Sequence, residues 1–270
     1  MANVDLVVTD LDGTLWHTDE ALHPLTTAAL DELARRGIPL LVATGRRIGS
    51  TRAPLARFGL APPAVVLNGA VALDLSTGDR FHRLVFDPVD ARRALDVFTE
   101  HDLSPCVYVD HGEVEVFLGE SPSTHPSHIH QLGPAAHVGD LEAVVGDLPV
   151  LAFGIIGRPE ELLAPAADAI SSGRLAETHL SRSLDLGGMA LTVAPPGVSK
   201  WSGVLAFCAL ASLDPTKILA IGDGPNDVEL VSHAAIAVTL EDGHASLEAI
   251  AHHKVPAARA GGWASILDLV

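Results

Sequence analysis

Short apolar runs alternate with longer amphipathic stretches over the first quarter of the chain, and each apolar run stops at polar or glycine-bearing residues. Val7-Val8-Thr9 is apolar and β-branched and gives way to Asp10-Leu11-Asp12-Gly13-Thr14, a pattern that predicts a buried strand presenting acids at a sheet edge. From His23 to Arg36, Leu25, Leu30 and Leu33 recur with Ala28, Ala29 and Ala34 among polar positions, predicting an amphipathic helix closed by Gly37. Ile38 to Ala43 reads as a second buried strand, ending in Thr44-Gly45-Arg46. A second helix is expected from Ser50 to Phe58, with Ser50 as its cap and Pro54 near its first turn. Ala64 to Leu67 then makes a third strand, ending in Asn68-Gly69. Strands and helices alternating at this pitch predict a parallel sheet with right-handed crossovers, whose strand tips are where open α/β sheets hold ligands.

The rhythm changes near Phe81. Asp87 to His101 is helical in pattern, Cys106 to Leu118 reads as a hairpin turning at Asp110-His111-Gly112-Glu113, and the His-, Ser- and Pro-rich stretch from Ser121 to His137 reads as loop. Val150 to Ile156 predicts a strand, Pro159 to Ile170 a helix, and two strand-like pieces lead to Val193. After Pro195-Pro196-Gly197 the α/β rhythm returns, with a helix over Lys200–Leu213, a strand over Ile218–Ile221 and its tip Gly222-Asp223-Gly224-Pro225-Asn226-Asp227. A helix is expected to begin over Asp227–Ser232, a short strand to follow at Ile236–Val238 and a closing helix to span Trp263–Val270. The expected organisation is an α/β core with a Rossmann-like parallel sheet flanked by helices, formed by residues 1–83 and 196–270, and an inserted α+β unit over 84–195.

Composition narrows the function classes. The 270 residues are 48% hydrophobic, which suits a well-packed globular protein. No apolar stretch approaches the ~18 residues of a membrane span, and no signal peptide fits ahead of the first strand, so a cytoplasmic location away from membranes is expected. The two cysteines, Cys106 and Cys208, are too few for a disulfide scaffold or a metal cluster. A net charge of −17 argues against nucleic acid as a partner, because phosphate backbones attract basic surfaces. An anionic small-molecule substrate would need a local cation and a few basic residues to overturn that field.

The chemistry-bearing residues cluster at the strand tips. Asp10 and Asp12 are two apart in an extended stretch and so address one side, and acids this close call for a cation or a shared proton. Each tip taken alone could be a turn, since Asp and Gly are common turn formers. Two such tips, with Asp223 and Asp227 flanking Asn226 in the second, are hard to attribute to turns alone. Their oxygens, completed by water and substrate, suit an octahedral magnesium ion. Thr44 and Gly45 can offer a hydroxyl and backbone N–H groups to an anion, and Lys200 can clamp a phosphate if it reaches the same edge. His125, His128, His130 and His137 are spaced too irregularly for a metal site and are read as a polar loop.

Asp10-x-Asp12-Gly-Thr14, Thr44-Gly45-Arg46, Lys200 and Gly222-Asp223-x-x-Asn226-Asp227 resemble, in order, the four motifs of the haloacid dehalogenase (HAD) superfamily. Asn68-Gly69-Ala70 and Pro196-Gly197-Val198-Ser199-Lys200 around the insert resemble its Cof-type phosphatase branch. The resemblance implies a magnesium-dependent phosphatase acting on a small phosphorylated metabolite, with a sugar phosphate favoured, as a monomer or small homo-oligomer. It implies that Asp10 is the nucleophile and Asp12 the acid/base. It implies that Asp10, the main-chain carbonyl of Asp12 and Asp223 hold the metal, with Asp227 outside its immediate ligands. Thr44, Gly45, Arg46, Lys200 and Asn226 are expected at the phosphate. A phosphomutase, or a metabolite-binding regulator that has kept the fold, stands as the alternative. Trp201, where the family usually has glycine, and Ala237–Gly243 after the fourth motif depart from the pattern.

Overall fold

The computed structural model describes residues 4–270 except 18, 113 and 184. The chain divides into two compact units, Met1–Arg83 with Ser199–Val270, and Leu84–Val198. Pro196, Gly197 and Val198, expected with the core, group with the second unit, where Gly197 N–H donates to Glu177 Oε1 at 3.1 Å.

The first unit opens with β1 (Leu6–Thr9), α1 (Pro24–Arg35), β2 (Leu40–Ala43), α2 (Ile48–Arg57) and β3 (Pro63–Val66). The three strands pair in parallel, as the alternation predicted. Arg47, not Ser50, precedes α2, and Pro54 lies inside it. A proline has no N–H to return to the carbonyl four residues earlier, which here is Ser50's, and Arg46 Nη1 takes that carbonyl at 3.0 Å. Two strands that the sequence pattern did not reveal follow, β4 (Val71–Asp74) and β5 (Arg80–Arg83), both added antiparallel at the sheet's edge.

In the second unit come α3 (Pro88–Glu100), β6 (Cys106–His111), β7 (Val114–Leu118), α4 (Pro126–Leu132), β8 (Ala136–Val138), α5 (Leu141–Asp147), β9 (Val150–Arg158), α6 (Glu160–Ser172), β10 (Glu177–Arg182) and β11 (Met189–Ala194). Its six-stranded sheet runs β10-β11-β9-β6-β7-β8 and is antiparallel except for the parallel β7–β8 pair. Glu113, in the expected hairpin turn, lies outside the described residues. The stretch Ser121–His137 is not all loop: His125 Nδ1 accepts from Ser127 N–H at 3.1 Å and Pro126 sets the first helical position, so α4 forms. Val107, Val109, Phe153, Ile155, Leu191 and Val193 project to one face of this sheet and are buried with Phe98, Leu163 and Ile170 of α3 and α6.

The chain re-enters the first unit through α7 (Lys200–Ala211), β12 (Ile218–Gly222), α8 (Val228–His233), β13 (Ile236–Leu240), α9 (Ala245–Glu248) and β14 (His253–Val255). The closing helix expected over Trp263–Val270 is a 3-10 helix over Gly262–Asp268. The eight-stranded sheet has the order β14-β13-β12-β1-β2-β3-β4-β5, with β1 parallel to both β2 and β12. Strand order therefore runs outward from β1 in both directions, which makes its C-terminal end a topological switch point. Leu6 and Val8 face α7 with Val204, Phe207 and Cys208, while Thr9 turns to the opposite face and accepts from Trp263 Nε1 at 2.9 Å.

Candidate active site

The register of β1 on β12 sets Thr9 beside Ile221, so the acids that follow each strand emerge side by side. Asp10 N–H still completes the ladder to Ile221 O at 3.0 Å, which fixes its backbone at the sheet's edge. Gly13 then turns the chain at φ 79°. A Cβ there would lie 2.2 Å from Asp223 Oδ2, so this turn admits only glycine against the second tip. Thr14 Oγ donates to Asp223 Oδ1 at 2.6 Å and ties the two tips together.

Lys200 occupies the first position of α7, behind a Ser199–Ser202 capping box. A cation at a helix N-terminus opposes the helix dipole, so the helix itself gains nothing from lysine there. Its partners explain it: Nζ donates to Asp10 Oδ1 at 2.8 Å and to Asp227 Oδ1 at 2.6 Å, with all three side chains buried. Burial by itself lowers an ammonium's pKa, but the two carboxylates outweigh it and raise that of Lys200. Asp10 goes the other way. Burial drives its carboxyl from 3.8 up to about 7, with Lys200 opposing and Asp227 and Asp12 adding to the rise. Burial, then Asp10 and Asp227, likewise raise Asp223.

Asp227 is fully engaged. Its Oδ1 takes Lys200 and its Oδ2 takes the N–H groups of Asp223 and Gly224 at 3.1 and 2.9 Å. Carboxylate oxygens of Asp10, Asp223 and Asp227 lie within 4.8 Å of one another. The Asp12 side chain stands outside that cluster. Arg46 grips it as a fork, Nε to Oδ2 at 2.5 Å and Nη2 to Oδ1 at 2.6 Å, and Trp16 Nε1 donates to Oδ1 at 3.0 Å.

The sequence placed Arg46 at the phosphate. Its guanidinium is instead committed to Asp12, to Glu20 and to the Ser50 carbonyl, and it stacks 5.5 Å from the Trp16 ring centroid. Arg57 holds Glu20 from the other side. Thr44 is buried at the β2 tip and its Oγ accepts from Arg46 N–H at 3.2 Å. Gly45 follows, and Asn226 reaches the same region from the β12 tip, donating Nδ2 to Asn68 Oδ1 at 2.9 Å. Thr14, Trp16, Glu20 and Asn68 were not among the expected site residues. Thr14 and Asn68 sit inside motifs already noticed, whereas nothing in the pattern singles out Trp16 or Glu20.

Buried acids share a lysine at the switch point, and comparison with known proteins gives the class. Residues 7–267 match the family model for haloacid dehalogenase-like hydrolases, and the chain belongs to that family. It is 25% identical over 267 residues to the phosphoglycolate phosphatase of Methanopyrus kandleri, covering 97% of this chain and 95% of that protein. It is 26% identical over 254 residues to the 5-amino-6-(5-phospho-D-ribitylamino)uracil phosphatase of Bacillus subtilis, covering 92% and 90%. Among solved structures, a sugar phosphatase of HAD subclass IIB superposes with a TM-score of 0.77 at 18% identity, covering 98% of each chain, which shows the shared fold. Among the described residues, no helix is long and apolar enough to cross a membrane.

Proposed function

We propose that this chain is a phosphoric monoester hydrolase that removes phosphate from a small phosphorylated metabolite, with sugar phosphates the favoured class, through an aspartyl-phosphate on Asp10. The observation that carries this reading is the buried Asp10–Lys200–Asp227 triad beside Asp223 at the switch point. Lys200 holds Asp10 Oδ1 and leaves Oδ2 as the atom that can attack phosphorus. As the Asp10 O–P bond forms, the P–O bond to the substrate alcohol breaks, and Asp12, entering the step protonated with one oxygen released from the Arg46 fork, gives the leaving oxygen its proton. Asp12 then takes a proton from a water that attacks the same phosphorus, which releases phosphate and restores Asp10. Thr44, Gly45 and Asn226 would bind the phosphoryl oxygens, with Lys200 offsetting their charge.

The donor set fits magnesium, since it is all carboxylate oxygen and contains no soft ligand. Asp10 and Asp223 would hold the ion together with the Asp12 main-chain carbonyl, and Asp227, already engaged, would support them. When bound, the ion supplies positive charge for the phosphoryl oxygens. The differing substrates named for the relatives leave the substrate to a panel of phosphoesters assayed with magnesium, comparing the wild type with Asp10→Asn. The expected result is free phosphate from the wild type and a loss of at least about a thousand-fold in the variant, which stays folded. A fully active Asp10→Asn overturns the nucleophile. An isomerised sugar phosphate without free phosphate would mean a mutase, and binding without turnover a regulator.

A further inference from the structure

The turn that ends β3 holds a buried amide that the reaction above does not use. Asn68 is 4% exposed and adopts φ 54°, ψ 22°, the left-handed region that asparagine tolerates better than most residues. Three parts of the site meet on this turn. Asn68 N–H donates to Thr44 O at 3.1 Å, and its Oδ1 accepts from Asn226 Nδ2 at 2.9 Å. A Cβ on Gly45 would come within 3.1 Å of the same Oδ1, so the Asn68 amide lies against the Thr44–Gly45 tip. Gly69, at φ 114°, lies so close to Ser199, the residue that starts the Lys200 helix, that a Cβ would fall 2.0 Å from its carbonyl oxygen.

We propose that Asn68 is a positioning residue for phosphate binding, one that sets the orientation of the Asn226 amide and its spacing from the Thr44–Gly45 tip. The inference rests on the phosphatase reading above. The bond to Asn68 commits one Nδ2 proton of Asn226, and swapping that amide end for end would set two carbonyl oxygens against each other. The Oδ1 of Asn226 meanwhile lies against Gly224, where a Cβ would fall 2.5 Å away, so the amide packs closely at its other end too. The second Nδ2 proton is thereby left for an anion. Thr44 and Asn226 come from different strand tips, and Asn68 bonds to both.

The test compares Asn68→Gly, which keeps the left-handed backbone accessible, with Asn226→Ala and the double variant. Inorganic phosphate binding with magnesium is measured by calorimetry, alongside Tm, kcat and KM. We expect Asn68→Gly to weaken phosphate binding about ten-fold or more and to raise KM, the loss of one hydrogen bond to a group that binds an anion, with Tm close to wild type. The double variant should bind phosphate no worse than Asn226→Ala alone, since Asn68 acts through Asn226. Wild-type phosphate affinity in Asn68→Gly, losses that multiply in the double variant, or no phosphate binding by the wild type would each overturn the proposal. Failure of the phosphatase reading shows separately, as wild-type protein that binds phosphate and turns over no phosphoester.

Discussion

The two units bury polar groups in opposite ways. Among the described residues, the first unit buries the ionisable side chains of Asp10, Asp227 and Lys200 at one strand edge, together with Thr9, Thr14, Thr44 and Asn68. Among the described residues of the second unit, Thr124 and Tyr108 are buried, the Thr124 hydroxyl 2.9 Å from His128 Nδ1 and the Cys106 thiol 4.0 Å from the same nitrogen. Burying an ion costs several kcal/mol that good pairing only partly returns, whereas a hydroxyl or thiol with a partner costs little. Burying carboxylates and an ammonium at one spot is costly for the fold alone, so the asymmetry supports the site proposed at that edge. The second unit's interior, by contrast, is built for packing.

Removing Lys200 breaks the comparison most severely. Lys200→Met should lower turnover by about a hundred- to a thousand-fold, the effect of deleting one preorganised charge. It should also destabilise by about 3–5 kcal/mol, because Asp10 and Asp227 would be left buried without their cation. Thermal unfolding and steady-state kinetics read both effects. A Lys200→Met protein with wild-type Tm would mean that the buried triad does not form as described.

Arg46 distinguishes the sequence reading from the structural one. If its fork orients Asp12, Arg46→Lys should reduce kcat about ten- to a hundred-fold with KM little changed, since lysine keeps the charge and loses the bidentate grip. A raised KM with unchanged kcat would return Arg46 to phosphate binding.

The acids themselves were legible because a β-branched run stops on them and because two such tips recur. The contacts of Arg46 were not, since Asp12, Trp16 and Glu20 meet it only after the chain folds back past Gly13, and no spacing encodes that. The strands β4 and β5 escaped for another reason: Arg80-Phe81-His82-Arg83 is a polar edge strand without alternation, defined by its pairing to β4. The helix inside Ser121–His137 carried a signal that went unused. His23-Pro24 starts α1 as His125-Pro126 starts α4, each histidine Nδ1 accepting from the N–H two residues on. The pair is a helix start in this chain, and histidine's absence from the usual capping residues hid it.

The raised carboxyls of Asp10 and Asp223 give the first unit a pH signature. Between an unfolded value near 4 and the folded value of about 7 for Asp10, the native state holds protons that the unfolded chain has released. Metal-free stability from these groups is therefore full below about pH 4 and falls as pH rises through that window. Magnesium competes with those protons for the same oxygens. Its addition should raise Tm by a few degrees near pH 7.5 and by less near pH 5, as read by differential scanning fluorimetry. An equal gain at both values would place the ion away from Asp10 and Asp223.

The smallest effect sharpens the other side of the comparison. Cys106 is fully buried in the second unit, where burial pushes its thiol up to about 12, with Thr124 only partly offsetting the rise. Cys208, on α7's packed face, is also raised, by burial and then by Asp214. Neither thiol should react with iodoacetamide in native protein near pH 8, and both should react once guanidinium unfolds it, with peptide mapping assigning each site. Cys106→Ala should leave kcat and KM unchanged and cost about 1–2 kcal/mol, the loss of a small buried group whose cavity part-fills. Rapid native alkylation of Cys106, or a fall in kcat in Cys106→Ala without loss of stability, would show that the second unit's interior also does chemistry. The contrast between a unit that gathers buried carboxylates and an ammonium at one edge and a unit with no such cluster among the described residues would then fail.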